Sequence, residues 1–210
     1  LRTMFDNLER SGNPWRYPAA DASKHIKENE IPLHDGNQRI LYWMGCMARY
    51  DDAYRKISLD FVKIMRAANV DFAVLKNEKC TGDAARRAGN EFAFQELAME
   101  NSENINNAAP DLIVSTCPHC LKSLNEYKTM PEDMRLNDIP IVHHSVFIEQ
   151  LITAGKLDLD YGKTQKFSKN MSYHDACYLS RYLGKEGINA PREILKAGGA
   201  KLTEAENHGS

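Results

Sequence analysis

From Arg39 onward, short apolar runs alternate with longer stretches whose apolar positions recur every three to four residues. Ile40-Leu41-Tyr42-Trp43-Met44 reads as a strand closed by Gly45-Cys46. Asp51 or Asp52 can cap a helix running to about Ala68, with Ile57, Phe61, Ile64 and Met65 on one face. Val70 to Leu75 is a second strand, ending near Cys80-Thr81-Gly82-Asp83. A helix follows from Ala84 to about Asn104, with Phe92, Leu97 and Met99 among its apolar positions. Leu112 to Ser115 is a third strand, with Cys117-Pro118-His119-Cys120 at its end and a short helix carrying Leu121, Leu124 and Tyr127 after it. Ile139-Pro140-Ile141-Val142 is a fourth extended run, and Val146 to Thr153 is helical. This alternation predicts an α/β fold: a mostly parallel sheet with crossover helices.

Residues 1–38 differ. Ser11-Gly12-Asn13-Pro14-Trp15, Pro18, Pro32 and Asp35-Gly36-Asn37 are turn signals, with short helices expected at Thr3 to Arg10 and Asp21 to Asn29. The segment reads as an arm or connector that packs on a neighbour. At the other end the pattern begins again. Ser172-Tyr173-His174-Asp175-Ala176-Cys177 matches Leu41 to Cys46, and Ile194-Leu195-Lys196-Ala197-Gly198 matches Ile64 to Ala68, at offsets of 131 and 130 positions. The expected organisation is therefore an arm (1–38), a first cysteine-rich domain (39–170) and the opening of a second, cut-off repeat (171–210). On that register the counterpart of Cys80 falls at Ser210, the last residue. With a first residue of Leu1, the sequence is expected to be a piece of a longer or processed chain.

Composition narrows the function. A net charge of −2, without a long basic block, points away from nucleic acid and from an anionic membrane surface. No apolar run is long enough to span a bilayer, and no secretory signal pattern is present. Five widely spaced cysteines do not make a small disulfide-stapled domain, and a reducing interior suits them better. The expected location is cytoplasmic, including the cytoplasmic face of a membrane within a larger complex.

Cys46, Cys80, Cys117 and Cys120 all follow strands. Sites in parallel sheets lie beyond the carboxyl ends of the strands, so these four can converge on one soft, thiolate-lined pocket. The ligand types suit zinc and an iron–sulfur cluster equally; the long gaps and the β/α setting favour the cluster. Four buried structural cysteines at three strand ends are the less economical reading.

These motifs resemble the cysteine-rich CCG-domain family, which includes components of heterodisulfide reductases and iron–sulfur subunits of respiratory oxidation systems. The likeness rests on Tyr42-Trp43-Met44-Gly45-Cys46, on Cys80-Thr81-Gly82-Asp83 with Arg86-Arg87-Ala88-Gly89-Asn90-Glu91, and on Thr116-Cys117-Pro118-His119-Cys120. It is strongest to members joined to a ferredoxin module and a quinone-reducing membrane part, and Leu1 to Tyr17 resembles the connector after that module. The resemblance implies an iron–sulfur component of an oxidoreductase. Its donors would be electron-transfer flavoprotein or a ferredoxin-type module, and its acceptor a quinone or membrane haem. One position departs from the family pattern: Thr81 stands where the second cysteine of Cys-Cys-Gly is expected. Four thiolates then remain, which suits a [4Fe–4S] cubane carrying electrons better than disulfide cleavage. Disulfide reduction and a zinc-stabilised interaction domain are the alternatives. Cys177 would be the first ligand of the second, incomplete site.

Other residues rank below these. His119 can tune a potential by hydrogen bonding to sulfur, and Arg86 or Arg87 can offset cluster charge or form surface ion pairs. His143-His144 and His174-Asp175 are more plainly capping or core groups than proton carriers. No glycine-rich nucleotide fingerprint follows the first strand, so NAD or FAD is not expected.

Overall fold

The computed structural model describes residues 1–159 and 170–205. Its centre is a four-stranded, wholly parallel sheet of β1 (Ile40–Trp43), β2 (Phe72–Ala73), β3 (Leu112–Ser115) and β4 (Ile141–His143), in the order β2-β1-β3-β4. The α/β expectation holds. Chain order reverses between β1 and β3, so the crevice at their carboxyl ends is the topological switch point where such sheets place their ligands.

Side chains alternate across the sheet with the strand period of two. Tyr42 and Val114 face one side, where Phe61, Val62 and Met65 of α4 (Asp52–Ala67) and Phe147, Ile148 and Leu151 of α8 (His144–Thr153) cover them. Leu41, Trp43, Ile113 and Ile141 face the other, under Phe94, Ala98 and Ile105 of α6 (Glu91–Ala108) and Leu121 and Leu124 of α7 (Pro118–Tyr127). Each fully buried side chain of this size contributes about 1.5–3 kcal/mol.

Several boundaries differ from the sequence pattern. The strand expected over Val70 to Leu75 pairs with β1 only at Phe72 and Ala73. Its outer edge is taken by the N-terminal arm: Leu33 bridges Val74, and the amide of Val74 donates to Pro32 at 2.8 Å. A short helix, α3 (Gly45–Tyr50), precedes α4, because the Asp51 carboxylate accepts the amides of Ala53 and Tyr54 and restarts the helix there. The helix expected from Ala84 to Asn104 is two, α5 (Asp83–Arg87) and α6, separated at Gly89 (φ 86°) and recapped by Asn90 on Ala93. That rotation puts Phe94, Leu97 and Ala98 inside and leaves Phe92 and Met99 exposed; Ile57 of α4 is exposed too.

The arm packs on this same domain. It forms α1 (Arg2–Ser11) and α2 (Ala19–Glu28), with Leu8, Ala22 and Ile26 buried. Beyond the sheet, β5 (Asn170–Met171) pairs in parallel with β6 (Lys201–Leu202) across α9 (Cys177–Ala197), which is interrupted at Gly184 (φ 55°). Strand, broken helix and parallel strand repeat the order of β1, α3–α4 and β2. The position aligned with Cys80, Ser210, lies outside the described residues.

Candidate metal centre

Each first-site cysteine stands at the carboxyl end of a strand. Cys46 is the second residue of α3 after β1, and Cys80 lies in the loop between β2 and α5. Cys117 caps α7 after β3, and Cys120 is in the first turn of that helix. The structure brings all four together. Cys46 hydrogen-bonds with Cys80 and Cys117 with Cys120, and charge on each pair is felt by the other. Cys80 and Cys120 are buried and Cys46 and Cys117 half-buried. Cys177 is exposed at the start of α9 and outside this group.

The electrostatics favour one thiolate per pair. Cys117 is pulled down to about 6, first by the hydrogen bond from Cys120 and then by the amides of Cys120 and His119, against burial. These amides are the open N–H groups of a helix start, where negative charge is favoured. Cys80 is lowered by Cys46 and by the Gly82 amide. Cys46 and Cys120, the donors in the pairs, are raised by those bonds and by burial. Cys46, Cys80, Cys117 and Cys120 would hold a soft metal group only as thiolates, so loading it would release their protons.

Gly45 and Thr81 shape the contact between the loops. Gly45 has φ 76°, and a Cβ there would lie 3.0 Å from Cys120 Sγ, so this backbone passes directly against the sulfur. Thr81, at the family's extra-cysteine position, donates its hydroxyl to Cys120 Sγ at 3.8 Å. The Thr81 carbonyl accepts the Tyr127 hydroxyl at 2.7 Å. Buried Asn101 holds the same loop, accepting the Lys79 amide and donating to the Cys80 carbonyl. From the arm, Gly12 accepts the Cys80 amide at 2.8 Å, while Leu8, Met4 and Phe5 join one apolar cluster with Cys80 and Cys46. The arm is thus an outer wall of the site.

The remaining sequence candidates sit as follows. His119 directs Nδ1 to Asp83 at 2.9 Å and stacks on Tyr178 at 3.7 Å between ring centroids. Arg86 pairs with Glu91 and Glu126 and lies over Phe94, and Arg87 lies over Tyr178. His143 caps α8, and burial lowers it to about 3 and neighbouring His144 to about 4. Asp175 forms a buried two-point ion pair with Arg192, and His174 is exposed.

Sequence reasoning missed Glu78 and Arg49. Glu78 is fully buried two residues before Cys80 and accepts the Met44 amide at 3.1 Å and the Gly45 amide at 2.5 Å. Burial pushes it up to about 7, against the pull of Arg49 and of those amides. Arg49 sits 4.0 Å away and donates to the carbonyls of Leu75 and Lys76. Nothing in the local pattern marks a charged residue in a strand-end loop as buried.

Among the described residues, no three His, Cys, Asp or Glu side chains stand close enough to grip a single ion. A cubane does not need that closeness, since each thiolate takes its own iron. The four thiols therefore fit a cluster.

Residues 40–125 match the cysteine-rich CCG domain. Three curated relatives carry the likeness across the whole chain. A protein named probable membrane-anchored ferredoxin from Chromohalobacter salexigens is 37% identical over 98% of this chain and 30% of its own length. An EtfAB:quinone oxidoreductase from Syntrophomonas wolfei is 33% identical over 96% and 28%. The probable iron–sulfur-binding oxidoreductase FadF of Bacillus subtilis is 36% identical over 95% and 28%. The chain spans less than a third of these relatives. It is related to iron–sulfur oxidoreductases. No solved structure matches it, and no helix among the described residues is long and apolar enough to cross a membrane.

Proposed function

We propose that this domain holds one [4Fe–4S] cluster on Cys46, Cys80, Cys117 and Cys120 and works as an electron-transfer component of a larger oxidoreductase. The observation that carries the reading is the meeting of four thiols from three strand ends in one electrostatically linked group, with a hydroxyl at position 81. When bound, the cluster supplies a one-electron carrier. The protein's own residues do the rest. The α7 amides favour charge at Cys117, Thr81 donates to Cys120 sulfur, and Met4, Phe5 and Leu8 add apolar surface to the cluster that holds Cys46 and Cys80. Shielding and hydrogen bonds to sulfur are the levers that set a cluster's potential.

The donor would be electron-transfer flavoprotein or a ferredoxin-type module and the acceptor a membrane quinone; the name of the S. wolfei relative supports the flavoprotein and the quinone. The domain would then work at the cytoplasmic face of a membrane, within a complex. The β5–α9–β6 order supports Cys177 as the first ligand of a second repeat. Zinc, the other soft-ligand reading, is separated by one experiment. Anaerobic reconstitution with iron and sulfide should yield about four of each per chain and a visible thiolate-to-iron absorption. Stoichiometric zinc without iron would sink the proposal.

A further inference from the structure

We infer that Glu78 and Arg49 form a buried clamp that positions Cys46 against Cys80, lacing the two loops together from both sides. The clamp concerns the ligands of the cluster proposed above and rests on that reading.

Two loops must meet for Cys46 and Cys80 to pair, and the chain between them contains an entire helix, α4. Glu78, on the Cys80 loop, reaches across to the amides of Met44 and Gly45, the two residues before Cys46. Arg49, three residues after Cys46, reaches back and donates Nη1 to the Leu75 carbonyl at 3.1 Å and Nη2 to the Lys76 carbonyl at 2.9 Å. The carboxylate and guanidinium then face each other with side chains 0% and 3% exposed. Each loop is therefore held by a side chain of the other, and Cys46 lies between the two points of attachment.

A pair buried this deeply is costly to desolvate and is often no more stabilising than apolar residues of the same size. Its cost is offset only if the charges satisfy groups that would otherwise be orphaned. Here they satisfy two amides and two carbonyls at the ends of β1 and β2. An apolar replacement would fill the space and leave all four unpaired. What the pair adds beyond stability is register between the loops, and residues that orient metal ligands typically carry a 10–100-fold share of affinity.

The test uses the anaerobically reconstituted protein and its Glu78→Ala, Glu78→Gln and Met65→Ala variants. Met65 is a fully buried residue of α4 that makes none of the clamp's hydrogen bonds, and its truncation supplies a loss of stability without touching the clamp. Cluster loss to an iron chelator is followed by visible bleaching, and the dithionite-reduced cluster by paramagnetic resonance. Glu78→Ala should bleach about tenfold faster than Met65→Ala and change the resonance line shape. Glu78→Gln, which keeps the volume and one amide contact, should fall between Ala and wild type, and it carries the test if Ala does not fold. Bleaching of the Glu78 variants at the Met65→Ala rate, or a wild-type line shape in them, overturns the clamp. The same ranking is read without iron in the metal-free reduced protein, where short iodoacetamide pulses and peptide mapping follow alkylation of Cys46: the Glu78 variants should alkylate there faster than Met65→Ala, and equal rates overturn the clamp. A wild type that takes up no iron–sulfur cluster would therefore defeat the proposed function while still deciding the clamp.

Discussion

Replacing His144 with Phe should flatten the acid side of the stability profile by an amount the structure sets. The His144 ring packs edge-on to Phe61, its Nδ1 is buried without a partner, and burial alone lowers it from 6.5 to about 4. The native state holds it neutral, whereas the unfolded chain protonates it at its ordinary value. A lowered histidine contributes stability that is complete above pH 6.5 and is lost as pH falls toward 4. The full shift corresponds to about 3.4 kcal/mol at 1.36 kcal/mol per pH unit. Integrated only from pH 6.5 to 5, it amounts to about 1.6 kcal/mol, a sizeable part of a typical 5–15 kcal/mol. The raw wild-type profile will not show this cleanly. His143, lowered to about 3, adds in the same direction. Glu78, raised to about 7, opposes: its contribution is complete below 4.5 and fades as pH rises through 7. The difference between wild type and variant cancels Glu78 and most of His143, whose lowering comes first from its own burial and only secondarily from His144. Urea unfolding of the reduced proteins at half-unit steps gives that difference. Wild type should lose about 1.6 kcal/mol more than His144→Phe across the window. Parallel profiles would refute the claim that the fold buries a neutral imidazole there.

Gly45→Ala forces a left-handed alanine, costing about 1–2 kcal/mol, and drives a methyl to 3.0 Å from Cys120 Sγ. Iron and sulfide content should drop well below half of wild type, and full occupancy would show that the Gly45–Cys120 approach does not matter. Thr81→Val removes the hydroxyl that donates to Cys120 sulfur. A hydrogen bond worth about 1 kcal/mol corresponds to about 40 mV for one electron, so the midpoint potential should become more negative by about that much in a redox titration. In the metal-free reduced protein, Cys117 should alkylate with a midpoint near pH 6, its reactive thiolate being lost as pH falls below that value. Peptide mass mapping after short iodoacetamide pulses reads the midpoint, and one near that of an ordinary thiol would refute the assignment.

The β/α order and the placing of four cysteines after β1, β2 and β3 were legible because both are local. Apolar runs and 3.6-residue periods report their own secondary structure, and a parallel sheet puts all its strand ends on one edge. The split of the Ala84–Asn104 stretch was less visible: Gly89-Asn90 carries the signal, a left-handed glycine followed by a capping side chain, inside an otherwise helical pattern. That break turned Phe92 out and Phe94 in. The arm's role was not legible either, since Gly12 meets the Cys80 amide only after the chain has folded back across the domain.

The sequence by itself determined the fold class and the placing of cysteines after three strands, both properties of residue identity and short-range spacing. Tertiary structure decided which groups face the thiols. Thr81 touches Cys120, Leu8 shares an apolar cluster with Cys80, and Glu78 and Arg49 lie buried between two loops rather than on the surface their charge would suggest. A charged side chain can be buried only where partners from distant segments satisfy it, and those partners exist only in the folded chain.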